Sequence, residues 1–226
     1  MKENRWTWKE FIVLVSMAMI FVPLVIDWQL ASWLDAVMQN DLYKGTLIGL
    51  ILAILFTGST YFIALRPHGY SWQAIGVGSV KKSQWKTIVF WTIIYIFVGL
   101  LYVIILEVIG FGSANAKTEA AEANLTLFGF MIGFLSAAVI SPIYEELFYR
   151  GFIYTWLRSR LGIRSSMLIS SLIFTLAHIP TYNTLVLNFL DGMVFAWVYE
   201  KTGSIVSSMV VHAVLNGITV VLIFLF

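Results

Sequence analysis

The sequence predicts an all-α fold: a polytopic transmembrane bundle of about seven helices, with the N-terminus on the cytoplasmic side. The first observation is composition, since 60% of the 226 residues are hydrophobic and only 12% are charged. A water-soluble globule of this length cannot bury so much apolar surface. The second is the presence of several apolar runs long enough to cross a bilayer, which takes about 17–25 residues. The third is an uneven distribution of Lys and Arg along the chain.

Seven apolar segments are expected to be the spans, in chain order: 10–27, 45–65, 86–106, 130–157, 165–179, 184–199 and 204–226. The first follows three cations but lacks a small-residue cleavage site, which favours an uncleaved signal anchor over a signal peptide. Polar residues interrupt the fourth segment. The fifth is short because it ends at the Ala-His-Ile-Pro turn of residues 177–180.

No internal repeat or low-complexity tract divides the chain. The loops 67–84 and 112–124 are polar, but they are too short to fold as domains. We therefore expect a single membrane domain over residues 1–226, with N-terminal helices in 1–125 and the core helices of the functional site in 126–226.

The distribution of Lys and Arg predicts the orientation of the bundle. With seven spans, eleven of these cations fall on one side and only Lys44 and Lys117 on the other. Six acidic residues share the side of those two lysines: Asp27, Asp35, Asp41, Glu107, Glu119 and Glu122. Because loops rich in Lys and Arg stay in the cytoplasm, the cation-rich side is expected to be cytoplasmic and the C-terminus to lie outside.

Composition and missing motifs exclude several functions. A net charge of +2 gives no basic surface for nucleic acid. The chain has no Cys, which excludes disulfides, thiolate metal sites and a Cys nucleophile. It contains neither a His-Glu-x-x-His nor a Gly-x-Ser-Gly motif, and Asp191 is the one aspartate well inside a span, so an aspartyl dyad cannot form. The expected partners are the lipid bilayer and a peptide or protein substrate.

Polar residues inside the predicted spans define the candidate site: Glu145, Glu146, Arg150, His178, Asp191, His212 and Asn216. Ionisable side chains cost about 2.5–3.5 kcal/mol in the bilayer centre, so each is a functional hypothesis. Glu146 and Arg150 are four residues apart and share a helix face, as do His212 and Asn216. Counting about 1.5 Å per residue from the cytoplasmic cations places polar groups of three different spans at a similar depth, about 20 Å.

These residue types suit hydrolysis of an acyl bond. A carboxylate held away from water is a stronger proton acceptor, which makes Glu145 the candidate base for activating water. Glu146 and Arg150 are expected to form a supporting buried ion pair. Three further side chains are candidates to hold a metal, polarise the scissile carbonyl or stabilise the oxyanion: His178, His212 and Asn216.

Three ordered motifs resemble those of the CPBP family, also called Abi: Glu145-Glu146-x-x-x-Arg150, Phe174-x-x-x-His178 and His212-x-x-x-Asn216. This family contains CAAX prenyl endopeptidases and bacteriocin-processing or immunity proteins. The resemblance covers about residues 141–217. It implies an intramembrane endopeptidase in a cell membrane, with the compactness of this chain closer to bacterial members.

The resemblance also implies the roles of the site residues. The catalytic set carried over is Glu145, His178, His212 and Asn216, with Glu146 and Arg150 in support. The cofactor stays open at this point. Zinc held by His178 and His212 is one interpretation, and a metal-free glutamate protease is the other.

Two other classes of function fit the same residues. A bacteriocin self-immunity protein would act by binding alone. A transporter or proton relay would use Glu145, Asp191 and the histidines as carriers. A purely structural role is the third interpretation, because polar pairs such as His212 and Asn216 often hydrogen-bond neighbouring helices in membranes.

Overall fold

The computed structural model describes residues 5–225, and all regular structure in this part of the chain is helical. The main helices are, in chain order, α1 Trp8–Val37, α2 Asp41–His68, α3 Lys82–Val108, α4 Ala116–Glu122, α5 Leu127–Leu176, α6 Leu185–Thr202 and α7 Ile205–Leu225. Five of them, α1, α2, α3, α5 and α7, are long and apolar enough to cross a membrane. The predicted all-α transmembrane bundle is confirmed, and the protein is an integral membrane protein.

Helix α5 is broken inside its 50-residue length. At Gly162 the backbone turns to φ 79° and ψ 179°, a conformation that glycine adopts without a steric penalty. The break lies between the predicted fourth and fifth spans. Counting the two parts of α5 separately and adding α6, which has 18 residues, gives seven helical segments for the seven predicted spans. The number of spans and the cytoplasmic position of the N-terminus stay predictions.

Side-chain hydrogen bonds join several helix termini at what we call the cation-rich end of the bundle. The indole of Trp156 donates to the carbonyl of Thr7 at 2.9 Å. The amide of Gln84 donates to the carbonyl of Thr202 at 2.5 Å. The start of α1, the middle of α5, the start of α3 and the end of α6 therefore lie together.

The other end of the bundle, which we call the acidic end, joins the remaining termini. The amide of Asn40 donates to the side-chain oxygen of Asn124 at 2.5 Å. The amide of Asn183 donates to the carbonyl of Ala114 at 2.8 Å. These bonds bring the α1–α2 loop and the α5–α6 loop against the segment between α3 and α5, which carries α4.

The loop between α2 and α3 is inserted into the cation-rich end. Ile75 is fully buried, and the hydroxyl of Tyr199 donates to its carbonyl at 3.0 Å. Gly76 has φ +91°, and the amide of Ile205 donates to its carbonyl at 2.9 Å. A Cβ at Gly76 would lie 2.5 Å from the Tyr199 ring, so that only glycine fits.

Helices α5 and α6 pack closely where both carry small residues. A Cβ on Gly192 would lie 2.7 Å from the Cβ of Ser171. Close approach at small residues is the usual way in which membrane helices associate. This contact fixes which face of α6 packs against α5. Phe195 lies on the same face, one turn after Gly192.

We predict that Gly76→Ala destabilises the protein by roughly 1–3 kcal/mol, because the methyl group meets the Tyr199 ring and the left-handed backbone disfavours any side chain. The measurement is the free energy of unfolding in mixed detergent–SDS micelles. Gly78→Ala is the matched control, since a Cβ there has no atom within 4 Å. Equal losses in the two variants would contradict the inserted-loop packing.

Candidate active site

The site lies where π-helical turns interrupt α5. These stretches cover Leu135–Ile140 and Glu146–Tyr154. Widened turns of this kind occur frequently at functional sites. Glu145 directly precedes the second stretch and Glu146 begins it, and both glutamates approach the imidazole of His212 on α7.

Glu146 is the most constrained charge in the site. It is completely buried, and its Oε1 lies 2.9 Å from Nη1 of Arg150. The same oxygen accepts from Nδ1 of His212 at 3.1 Å, and Oε2 accepts from the hydroxyl of Ser208. The predicted Glu146–Arg150 pair is present, and two donors from α7 complete it. A buried carboxylate is tolerated only with such partners.

Aromatic rings enclose the positive partner of this pair. The guanidinium of Arg150 lies 4.2 Å from the ring centroid of Phe174 and 5.0 Å from that of Phe195. Arg150 is 1% exposed. Cation–π contacts strengthen when water is excluded, so the two rings stabilise a charge that has lost its hydration.

His212 connects both glutamates. Its ring stacks on Phe195 with centroids 4.4 Å apart and an interplanar angle of 18°. Because an ionised carboxylate only accepts, Nδ1 carries the proton that it donates to Glu146. Nε2 then faces Oε2 of Glu145 at 3.9 Å. Glu146 therefore orients the imidazole, as a carboxylate behind a functional histidine commonly does.

One carboxylate oxygen of Glu145 is hydrogen-bonded and the other is not. Oε1 accepts from the hydroxyl of Ser141. Oε2 is buried and has no hydrogen-bond partner. A buried polar atom without a partner costs free energy unless it has a task or binds water. The separation of 3.9 Å from His212 is too long for a direct hydrogen bond.

His178 lies just after the end of α5. Its Nδ1 lies 2.7 Å from the carbonyl oxygen of Phe174. Since a carbonyl only accepts, Nδ1 must donate, which leaves Nε2 with its lone pair. The ring of Phe174 lies 4.5 Å from that of His178 and 6.3 Å from that of His212, centroid to centroid, so the second motif lies beside the third.

Asn216 bonds to a neighbouring helix. Its amide donates to the carbonyl of Ala137 at 2.9 Å. In a π-helical turn, the donor for that carbonyl would be residue 142, which is proline and has no N–H. Asn216 therefore fills a gap in the backbone hydrogen bonding of α5, which is the structural role that such residues often have in membranes.

Sequence reasoning missed three contributors to the site: Ser141, Ser208 and Phe195. A signal for the two serines was present in the spacing. Ser141 lies four residues before Glu145, to which it donates, and Ser208 lies four residues before His212, with which it shares Glu146 as acceptor. No pattern indicated Phe195. Asp191 had no assigned place; it lies on α6 one turn before Phe195 and acts electrostatically on His212 and Arg150.

The donors fit a zinc ion in kind but are not gathered around one point. Imidazole nitrogens of His178 and His212 and the free oxygen of Glu145 are typical zinc ligands. Within residues 5–225, however, no group of three or more His, Cys, Asp and Glu side chains is placed to hold a metal ion.

Comparison with known proteins adds a family to this geometry. Residues 127–218 match the family model described as type II CAAX prenyl endopeptidase Rce1-like. The predicted resemblance to CAAX endopeptidases is confirmed over this segment. Searches among curated proteins and among solved structures gave no match.

The matched segment contains every residue of the three motifs. Over this segment the chain is therefore similar to CAAX prenyl endopeptidases, and its apolar helices place the protein in a lipid bilayer. The first half of the chain lies outside the match.

We predict that Arg150→Met destabilises the protein by about 3–5 kcal/mol, because it leaves the fully buried Glu146 without its cation. Arg158→Met is the matched control. Arg158 pairs with Glu200 at 3.1 Å in a partly exposed position, where a pair contributes about 0–1 kcal/mol. The measurement is again unfolding in detergent–SDS micelles, and an equal effect of both substitutions would show that Glu146 does not depend on Arg150.

Proposed function

We propose that the protein is an intramembrane endopeptidase that hydrolyses a peptide bond of a membrane-associated peptide or protein, with Glu145 activating the attacking water. The observation that carries the proposal is the free oxygen of Glu145, buried and facing the Nε2 atom of His212 across 3.9 Å. A water molecule bridging that gap would satisfy both groups. The proposed setting is the bilayer of a bacterial cell.

Charge balance supports this arrangement. The carboxylates of Glu145 and Glu146 lie beside the guanidinium of Arg150 and the imidazole of His212. This arrangement avoids the large cost of an uncompensated charge in a low-dielectric region. It also gives the site a base and a hydrogen-bond donor side by side, as hydrolysis requires.

The chemical steps follow from these groups. Oε2 of Glu145 accepts one proton from water, while Nε2 of His178 accepts a hydrogen bond from the other water hydrogen. The water oxygen bonds to the scissile carbonyl carbon, and the electron pair of the C=O bond moves to oxygen. The Nε2–H of His212 stabilises this oxyanion. The proton on Glu145 then passes to the amide nitrogen as the C–N bond breaks, which restores the carboxylate.

Zinc is the alternative that the donor chemistry permits. The residues that would hold the ion are His178 and His212 through Nε2, with Glu145 nearby. A bound zinc would polarise the scissile carbonyl and acidify water. Metal analysis of purified wild type and of the His178→Ala variant separates the two cases. Stoichiometric zinc that the variant loses indicates a metalloprotease, and activity in metal-free wild type indicates a glutamate protease.

We predict that Glu145→Gln lowers peptide cleavage by about 10²–10⁴-fold, because the amide cannot take a proton from water. The measurement is a comparison of new peptide termini in membranes of cells that carry wild type or the variant. Glu119→Gln, at an exposed position of α4, is the matched control and should cleave like wild type.

Other outcomes of the same comparison would identify a different function. Unchanged termini in the Glu145→Gln variant would contradict the peptidase. Protection against a bacteriocin that survives the substitution would point to an immunity protein acting by binding. Loss of ion flux without any change in termini would point to a transporter.

A further inference from the structure

We propose that a groove between α3 and α6, at the cation-rich end of the bundle, binds the headgroup of one anionic phospholipid, whose acyl chains lie along the outer face of α3. The groove has a volume of about 450 Å³. Its lining comes from the start of α3 and the end of α6: Lys86, Thr87, Phe90, Trp91, Trp197 and Lys201. The ligand is a lipid and not a peptide, so the inference goes beyond the proposed peptidase function.

The lining of the groove is ordered by depth in the membrane. On α3, Phe90 follows Lys86 by four residues, and on α6, Trp197 precedes Lys201 by four. Residues at this spacing share a helix face and lie about 6 Å apart along the axis. Because α3 begins and α6 ends at this end of the bundle, both helices place a cation at the rim and a ring one turn deeper. Cations above aromatic rings are typical of the headgroup level of a bilayer.

The charge at the rim of the groove is uncompensated. Within the part of the chain that the structure describes, neither Lys86 nor Lys201 forms an ion pair. Glu200, which precedes Lys201, pairs with Arg158 at 3.1 Å. The Nζ atom of Lys201 lies 4.3 Å from the ring centroid of Trp197, a cation–π contact that holds the ammonium at the groove. Two such cations between membrane helices attract a phosphate group.

An uncovered apolar stripe continues from the groove along α3. Its residues recur every three or four positions and are 50–68% exposed: Phe90, Ile93, Phe97 and Leu101. From the first to the last the stripe is about 16 Å long, close to the roughly 15 Å of hydrocarbon in one leaflet. Because α3 is long and apolar enough to cross a membrane, this exposed face lies against acyl chains.

The groove and the stripe together select one class of ligand. A free phosphate ion would bind the lysines but leave the stripe without a partner. A zwitterionic lipid such as phosphatidylcholine would bring its choline cation beside two ammonium groups. An anionic phospholipid matches both regions, with its phosphate between Lys86 and Lys201 and its chains against α3.

Native mass spectrometry of the full-length protein in non-ionic detergent tests the site, because it resolves each bound lipid by its mass. The probes are phosphatidylglycerol and phosphatidylcholine with identical acyl chains, titrated separately. The test variant combines Lys86→Gln with Lys201→Gln. The matched control combines Lys81→Gln with Lys82→Gln, which removes two exposed cations at the same end of the bundle that do not line the groove.

We expect the wild type to bind one phosphatidylglycerol molecule about 30-fold more tightly than phosphatidylcholine, because each lysine near an anionic headgroup contributes about a factor of five. The test variant should bind the two lipids with similar affinity, and the control should keep the preference of the wild type. Inorganic phosphate, added at the same concentration as the lipid, should leave phosphatidylglycerol bound.

Equal affinity of the wild type for the two lipids would overturn the proposal, and this result does not depend on whether any variant folds. The same loss of preference in both variants would also overturn it. So would displacement of the lipid by inorganic phosphate, or a protein dimer in place of the lipid adduct, since a second copy would then cover α3. Lipid binding is measured without peptide cleavage, so failure of the proposed peptidase function leaves this test unaffected.

Discussion

The structure depends on one buried carboxylate, that of Glu146. In a low-dielectric interior this charge is stable only with compensating partners, which come from two helices: the guanidinium of Arg150 on α5, and the donors Ser208 and His212 on α7. The contacts that compensate this charge fix the relative position of α5 and α7. Fixing those helices also orients His212, so that the same contacts that hold the bundle together place its Nε2 atom opposite Glu145.

Irregular turns in α5 allow the two glutamates to approach His212 on α7. One π-helical stretch of α5 ends before the glutamate pair and a second begins at Glu146, and Pro142 leaves the carbonyl of Ala137 without a backbone donor. Asn216 compensates by donating to that carbonyl. Asn216 thus holds α7 against the distorted part of α5.

Sequence reasoning predicted the fold class and the i,i+4 pair of Glu146 and Arg150, because hydropathy and helical spacing are local properties of the chain. It did not predict Phe195 or the inserted Ile75, since both depend on how distant segments pack. The break at Gly162 was expected as a turn between spans, but its backbone conformation was not. A hydrogen bond from Asn216 to a neighbouring helix was one of the sequence-based interpretations, but its acceptor was not predicted, because the unpaired carbonyl of Ala137 belongs to another helix and no spacing within α7 reveals it.

The most direct test of the account is the protonation of the His212 ring, measured by ¹⁵N solid-state NMR of histidine-labelled protein in bilayers. The chain has three histidines, so His212→Gln identifies the signals of this ring. The account predicts a proton on Nδ1, hydrogen-bonded to a carboxylate, that is lost or exchanged in Glu146→Gln. An Nδ1 without a proton in the wild type, or an Nδ1 signal that Glu146→Gln does not change, would contradict this prediction.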